Sequence, residues 1–219
     1  MPTLEITTLV GCPLRCTYCP QDKLRASYGD NEKRLSVENF KTILAKVPGY
    51  VRIDFSGMSE PFSIGVTAVE MIAHTLERGY HIALYTTLVG LHVASADSVI
   101  ELLKAHASQV EVVCLHLPDK NGNMRGFHYG AIYEAVLDKF IKFGQSGILS
   151  RFEMMTMDRN GEVDPQLKNL ARLTEWMGLS RGGSLDASAL GEQPVEEMPL
   201  HVTPVSCSYT PFYDHNVLL

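Results

Sequence analysis

Short apolar runs and longer stretches with apolar residues three and four apart take turns along this sequence, and that alternation limits the fold more than any other feature. Runs of the first kind stand at 4–9, 51–55, 82–86, 110–117 and 150–157, and they are predicted strands. Between them lie predicted helices. One opens at Ser36, carries Val37, Phe40, Ile43, Leu44 and Val47 on one face and stops at Pro48-Gly49. Others are expected at about 66–78, 95–106, 132–143 and 165–177, the last with Pro165 in its first turn, where a missing N–H costs nothing. A repeated strand-then-helix order is the pattern of an α/β domain with a parallel sheet.

Two stretches break the rhythm. The polar segment 21–34 reads as an exposed connection. After Gly178 the chain turns rich in Gly, Ser, Pro and acids without a usable period, so 1–178 reads as the core and 179–219 as a linker leading into a further extension, with a sixth strand placed at 200–205. A length of 219 residues suits one main domain.

Charge and apolar content remove several function classes. A formal charge of -6 offers no clustered cations for a phosphate backbone, which argues against a nucleic-acid partner. No apolar run reaches the roughly 18 residues that span a bilayer, and the N-terminus lacks a basic lead-in, so a cytoplasmic protein with no membrane partner is expected.

Three of the five cysteines crowd into Cys12-Pro-Leu-Arg-Cys16-Thr-Tyr-Cys19, directly after the first predicted strand. A secreted disulfide framework spreads its cysteines along the chain, so this crowding points to metal instead. A zinc site completed from elsewhere in the fold is one reading. A cubane cluster is the other, and three thiolates would leave one of its irons open to a small chelating ligand. Cys114, inside the apolar run VEVVCLHL, reads as a small buried hydrophobe. The histidines show no pair at a metal-binding spacing.

The C-x3-C-x-aromatic-C spacing, after the first strand of a strand–helix repeat, resembles the radical S-adenosylmethionine enzymes, with Tyr18 in the aromatic position. That resemblance implies a partial (β/α)6 TIM-like barrel of the radical S-adenosylmethionine type. It also implies a four-iron, four-sulfur (4Fe-4S) cluster on Cys12, Cys16 and Cys19, with S-adenosylmethionine chelating the open iron. An external one-electron reductant of flavodoxin or ferredoxin type would start the cleavage to a 5′-deoxyadenosyl radical, which abstracts hydrogen from a peptide or small-molecule substrate. A glycyl-radical activating enzyme and a non-enzymatic zinc- or iron-binding module are the alternatives.

The same resemblance nominates cofactor contacts. Phe55-Ser-Gly57-Met-Ser59-Glu60-Pro61 stands where relatives carry a Gly-Gly-Glu-Pro turn that holds the methionine ammonium; Gly57 and Glu60 match, and Ser59 replaces the second glycine. Thr87 falls where relatives have a polar residue after the third strand, and His116 where they have serine after the fourth. Each also has an ordinary structural reading, as a polar strand end and a hydrogen-bonded core histidine. Arg151 and Glu153 share a strand face that in a barrel points inward. The segments at Ser180, Cys207 and Asn216 look like the lead-in to the auxiliary-cluster extension called SPASM, which implies a member cut short before that domain.

Overall fold

A computed structural model of the chain describes residues 1–17, 19, 21–29, 33–156, 162–167 and 179–181. Six strands form one sheet: β1 (Thr3–Ile6), β2 (Arg52–Phe55), β3 (Ile82–Thr86), β4 (Val110–His116), β5 (Phe152–Thr156) and β6 (Leu179–Arg181). They lie side by side in chain order, every pairing parallel. Helices α1 (Gln21–Tyr28), α2 (Val37–Leu44), α3 (Val66–Glu77), α4 (Val93–Ala105) and α5 (Ala131–Gln145), with short 3-10 turns at Pro61–Ile64, Ala107–Gln109 and Pro165–Leu167, complete the described elements. This is the α/β, partial-barrel architecture expected from the alternation.

Strand parity decides which side chains meet the helices. Ile53, Phe55, Ile82, Leu84, Leu115 and Met154 face one way, into a core shared with the helices. In α2 the Ser36 hydroxyl accepts the Asn39 N–H at 3.1 Å, which caps the first turn and lets Phe40 and Leu44 bury fully against that core. Burying a side chain of that size stabilises by about 2 kcal/mol. An irregularity in the β3–β4 register, between Ile82 and Ala83, sets the parity of β4, so Val113 and Leu115 meet the helices while Val112 and Cys114 do not. Those two join Ala83, Tyr85 and Met155 in a small cluster on the opposite face. Cys114 is a packed thiol there, as its apolar neighbours led one to expect.

The polar segment after Cys19 is not all loop, since α1 occupies Gln21–Tyr28. Its sequence, QDKLRASY, has good helix formers but no apolar stripe, so nothing periodic marks it. At the far end the sheet continues to Arg181, inside the stretch read as linker. The expected strand at 200–205 and most of the expected helix at 165–177 lie outside the described residues, where only the turn Pro165–Leu167 is seen. Among the described residues no helix is long and apolar enough to cross a membrane.

Candidate functional site at the C-terminal edge of the sheet

Because all strands run the same way, the loops that leave their C-terminal ends gather on one edge, where parallel α/β sheets and barrels place their sites. The first of these loops carries the cysteines. The chain leaving β1 is braced by the return strand, with Val10 N–H on Lys33 O at 2.7 Å and Leu35 N–H on Thr8 O at 3.0 Å. Beyond it, the loop after β4 grips the cysteine segment by its backbone. Arg15 N–H donates to Arg125 O at 2.7 Å, Thr17 N–H to Asn123 O at 2.9 Å, and the Thr17 hydroxyl to Asn123 Oδ1 at 2.9 Å. Gly126 allows the close approach, since a Cβ there would stand 3.0 Å from Pro13 O. From the other side Gln21 Nε2 donates to Met58 O at 2.6 Å, tying the start of α1 to the loop after β2.

Cys12, Cys16 and Cys19 form no disulfide and keep part of their surface exposed. A turn bond from Cys19 N–H to Cys16 O at 3.1 Å folds the last two together. Burial pushes the Cys12 thiol up, against hydrogen bonds from the Glu60 and Leu14 backbone and the Gln21 side chain. Burial also pushes Cys19 up to about 11, and the proximity of Cys12 adds to it. These thiols therefore stay protonated until a cation displaces the proton. Among the described residues no three Cys, His, Asp or Glu side chains are arranged to hold a single metal ion. A cubane puts each thiolate on its own iron and asks for no such convergence, so three soft donors on one braced loop fit that group. Tyr18 lies outside the described residues.

The loop after β2 leans on β1. Gly57 takes a φ of +66°, and a Cβ there would fall 2.3 Å from Thr7 Oγ1, so only glycine fits. Its N–H donates to Glu5 Oε1 at 2.6 Å, beside the Ser56 hydroxyl at 2.9 Å. Ser59 Oγ accepts the Leu9 N–H at 3.4 Å and lies 3.5 Å from Thr8 Oγ1. Glu60 turns the other way, into the protein, and is 4% exposed. Oε1 accepts from Phe62 N–H at 3.1 Å and the Thr86 hydroxyl at 2.5 Å; Oε2 accepts from Thr87 N–H at 2.6 Å and the Thr87 hydroxyl at 2.7 Å. Burial raises its carboxyl above the ordinary range while those four bonds pull it down.

Below this edge the face of the sheet turned away from the helices carries, beside its small apolar cluster, charged pairs that the packed interior of a closed barrel does not. Arg52 holds Asp54 in a two-pronged ion pair at 2.6 and 2.8 Å. Arg151 pairs with Glu153 at 2.6 Å, on the face that their strand parity indicated. Tyr85 lies near both arginines. His116, at the end of β4, keeps some open surface yet is so surrounded that desolvation lowers its pKa to about 4, leaving a neutral imidazole. Cys12, Cys16, Cys19, Gly57, Ser59, Thr87 and His116 thus all stand on or beside the loops at one edge.

Sequence reasoning missed the residues that hold this edge together. Buried Asp119 accepts from Asn121 N–H at 2.8 Å, Asn123 N–H at 3.3 Å and Asn123 Nδ2 at 3.2 Å, and so shapes the loop that grips the cysteines. The string Pro118-Asp-Lys-Asn-Gly122-Asn carried the signal, an aspartate followed by turn formers. Tyr133, in the first turn of α5 and near Glu60, is buried with its hydroxyl unpartnered among the described residues, and Phe127 sits edge-on at 4.8 Å.

No family description and no curated protein sequence matches the chain. Solved structures do. Native anSMEcpe with bound AdoMet and a Kp18Cys peptide superposes on 82% of this chain and 50% of its own, with a TM-score of 0.52 and 18% identity. The same protein with AdoMet and a Cp18Cys peptide covers 96% of this chain and 55% of its own, at 0.52 and 16%. The chain shares the fold of these S-adenosylmethionine-bound structures. This chain spans about half the length of those structures.

Proposed function

We propose that the chain is a radical S-adenosylmethionine enzyme, with Cys12, Cys16 and Cys19 holding a four-iron, four-sulfur cluster. The observation that carries this reading is the position of the three cysteines, on a braced loop after β1, at the C-terminal edge of a sheet with this fold. When bound, the cluster supplies one electron that breaks a sulfur–carbon bond of S-adenosylmethionine and yields a 5′-deoxyadenosyl radical. The chain's own contribution is placement. The loop after β2 seats Gly57 and Ser59 on the chain leaving β1, which runs on into the cysteine segment. Thr87, whose two donors go to Glu60 while its hydroxyl keeps one acceptor position, and neutral His116 border the same edge without adding charge. Tyr18 belongs to this set by its place in the motif.

A peptide or carbohydrate-like substrate is the reading for the hydrogen donor. The anSMEcpe structures, whose fold this chain shares, hold peptides. The electron would come from a flavodoxin- or ferredoxin-type partner.

The test is anaerobic reconstitution with iron and sulfide, followed by electron paramagnetic resonance of the reduced protein with and without S-adenosylmethionine. A four-iron signal that shifts with the cofactor and is lost in Cys16→Ala, together with 5′-deoxyadenosine release, is the expected result. A colourless protein that binds zinc stoichiometrically would overturn the proposal and favour a metal-binding module.

A further inference from the structure

Glu60 is the residue that the resemblance assigns to the cofactor's ammonium, and the geometry gives it a different task. A carboxylate offers about four acceptor positions, and here each oxygen already takes two donors. All four come from within the protein, three of them from Thr86 and Thr87 at the end of β3. Those threonines pass the ordering on. With its proton committed to Glu60, the Thr86 hydroxyl is left to accept from Leu88 N–H, which it does at 2.8 Å; in the same way the Thr87 hydroxyl accepts from Val89 N–H at 3.3 Å.

The turn so held is one that the backbone would not choose. Leu88 sits at φ +65°, the only non-glycine residue with a positive φ among those described, and its side chain is buried. A branched-chain residue persists there only when its surroundings over-determine it. Gly90 closes the turn against the other loop, for a Cβ there would come within 2.5 Å of Phe62 O. The loops after β2 and β3 are thus locked together through one buried carboxylate. The Glu60 backbone also donates towards Cys12, so the same residue reaches the cysteine loop.

We propose that Glu60 is a positioning residue: it holds the strained 86–90 turn, and with it Thr87, in a ligand-ready form, and it does not itself ligate the cofactor. This refines the proposed function and rests on it only where S-adenosylmethionine binding is the readout.

Two measurements separate the possibilities. Amide hydrogen exchange of the metal-free protein should show Thr87, Leu88 and Val89 protected in wild type and about tenfold faster in Glu60→Gln, whose amide nitrogen cannot accept from Thr87 N–H. Thr86→Val, which keeps Glu60, should loosen the same amides and serves if Glu60→Gln does not fold. In reconstituted protein, each variant should weaken S-adenosylmethionine binding by about tenfold, and the double variant should lose little more than either alone. Protected amides in both variants would overturn the proposal. So would a large affinity loss in Glu60→Gln that Thr86→Val does not share, the mark of a direct ligand. If wild type fails to bind S-adenosylmethionine at all, the proposed function falls, while the exchange result still decides what Glu60 does.

Discussion

Gly57 and Gly79 differ in a way that turns a glycine-to-alanine pair into a measurement of how tightly the loop after β2 is seated. Both have positive φ, +66° and +82°. Around Gly79, at the end of α3, an added Cβ meets nothing within 4 Å. Alanine there bears only the left-handed backbone, about 1–2 kcal/mol, partly offset by about 0.5–1 kcal/mol from a stiffer unfolded chain. A net loss of about 1 kcal/mol follows. At Gly57 the same Cβ would lie 2.3 Å from Thr7 Oγ1, 2.8 Å from Thr7 Cα and 3.0 Å from Ile6 O. Two of those atoms are backbone of the chain leaving β1, so no rotamer change relieves the clash. Overpacking adds about 1–3 kcal/mol, which brings the expected loss for Gly57→Ala to about 3 kcal/mol. Urea denaturation of the metal-free proteins reads both values directly. The loop should also move off β1, so iron uptake on reconstitution should fall in Gly57→Ala and hold in Gly79→Ala. Equal destabilisation by the two substitutions would refute the close seating of this loop and the role given to it.

Two further outcomes follow from the same geometry. Asp119→Ala leaves three donors of the gripping loop without their acceptor, so it should cost about 2 kcal/mol and lower iron uptake, whereas Asp119→Asn, which keeps an acceptor oxygen, should do less of both; equal effects would argue against the grip. His116 binds a proton near pH 4 when folded and near 6.5 when unfolded, so the unfolded state holds more protons between those values and stability falls as pH falls through that window. The slope is at most about 1.4 kcal/mol per pH unit, less what the open part of its surface screens, and it should vanish in His116→Gln when the two proteins are compared at pH 7, 5.5 and 4.5; parallel curves would contradict it.

The sheet was readable because period and breakers agree in each unit. Val51–Phe55 and Ile82–Thr86 are short, apolar and bounded by polar or turn residues, and the strands lie within a residue of those spans. The cysteine loop stood out in the sequence because three thiols so close together have few uses, and the structure sets it after β1 as the motif's place implied. What escaped was held by contacts rather than by pattern. Nothing in QDKLRASY marks a helix docked by Gln21 on Met58 O, and a three-residue strand such as Leu179–Arg181 is too short to show a period. The direction in which Glu60 faces was equally hidden, because it depends on donors that arrive from Thr86 and Thr87, 26 and 27 positions along the chain.

The bracing of the cysteine segment bears on how the protein would survive loss of the proposed cluster. The bonds from Arg15, Thr17 and Gln21 to neighbouring loops involve none of the thiols, so the socket would hold its shape without the cluster. A small zinc domain is the opposite case, a clasp that comes apart when its ion leaves. In a socket of this kind, loss of the cluster to oxygen would leave the loop in place, ready for refilling once its three thiols are kept reduced. Repair then becomes a matter of supply, of iron, sulfide and reducing equivalents, and not of refolding.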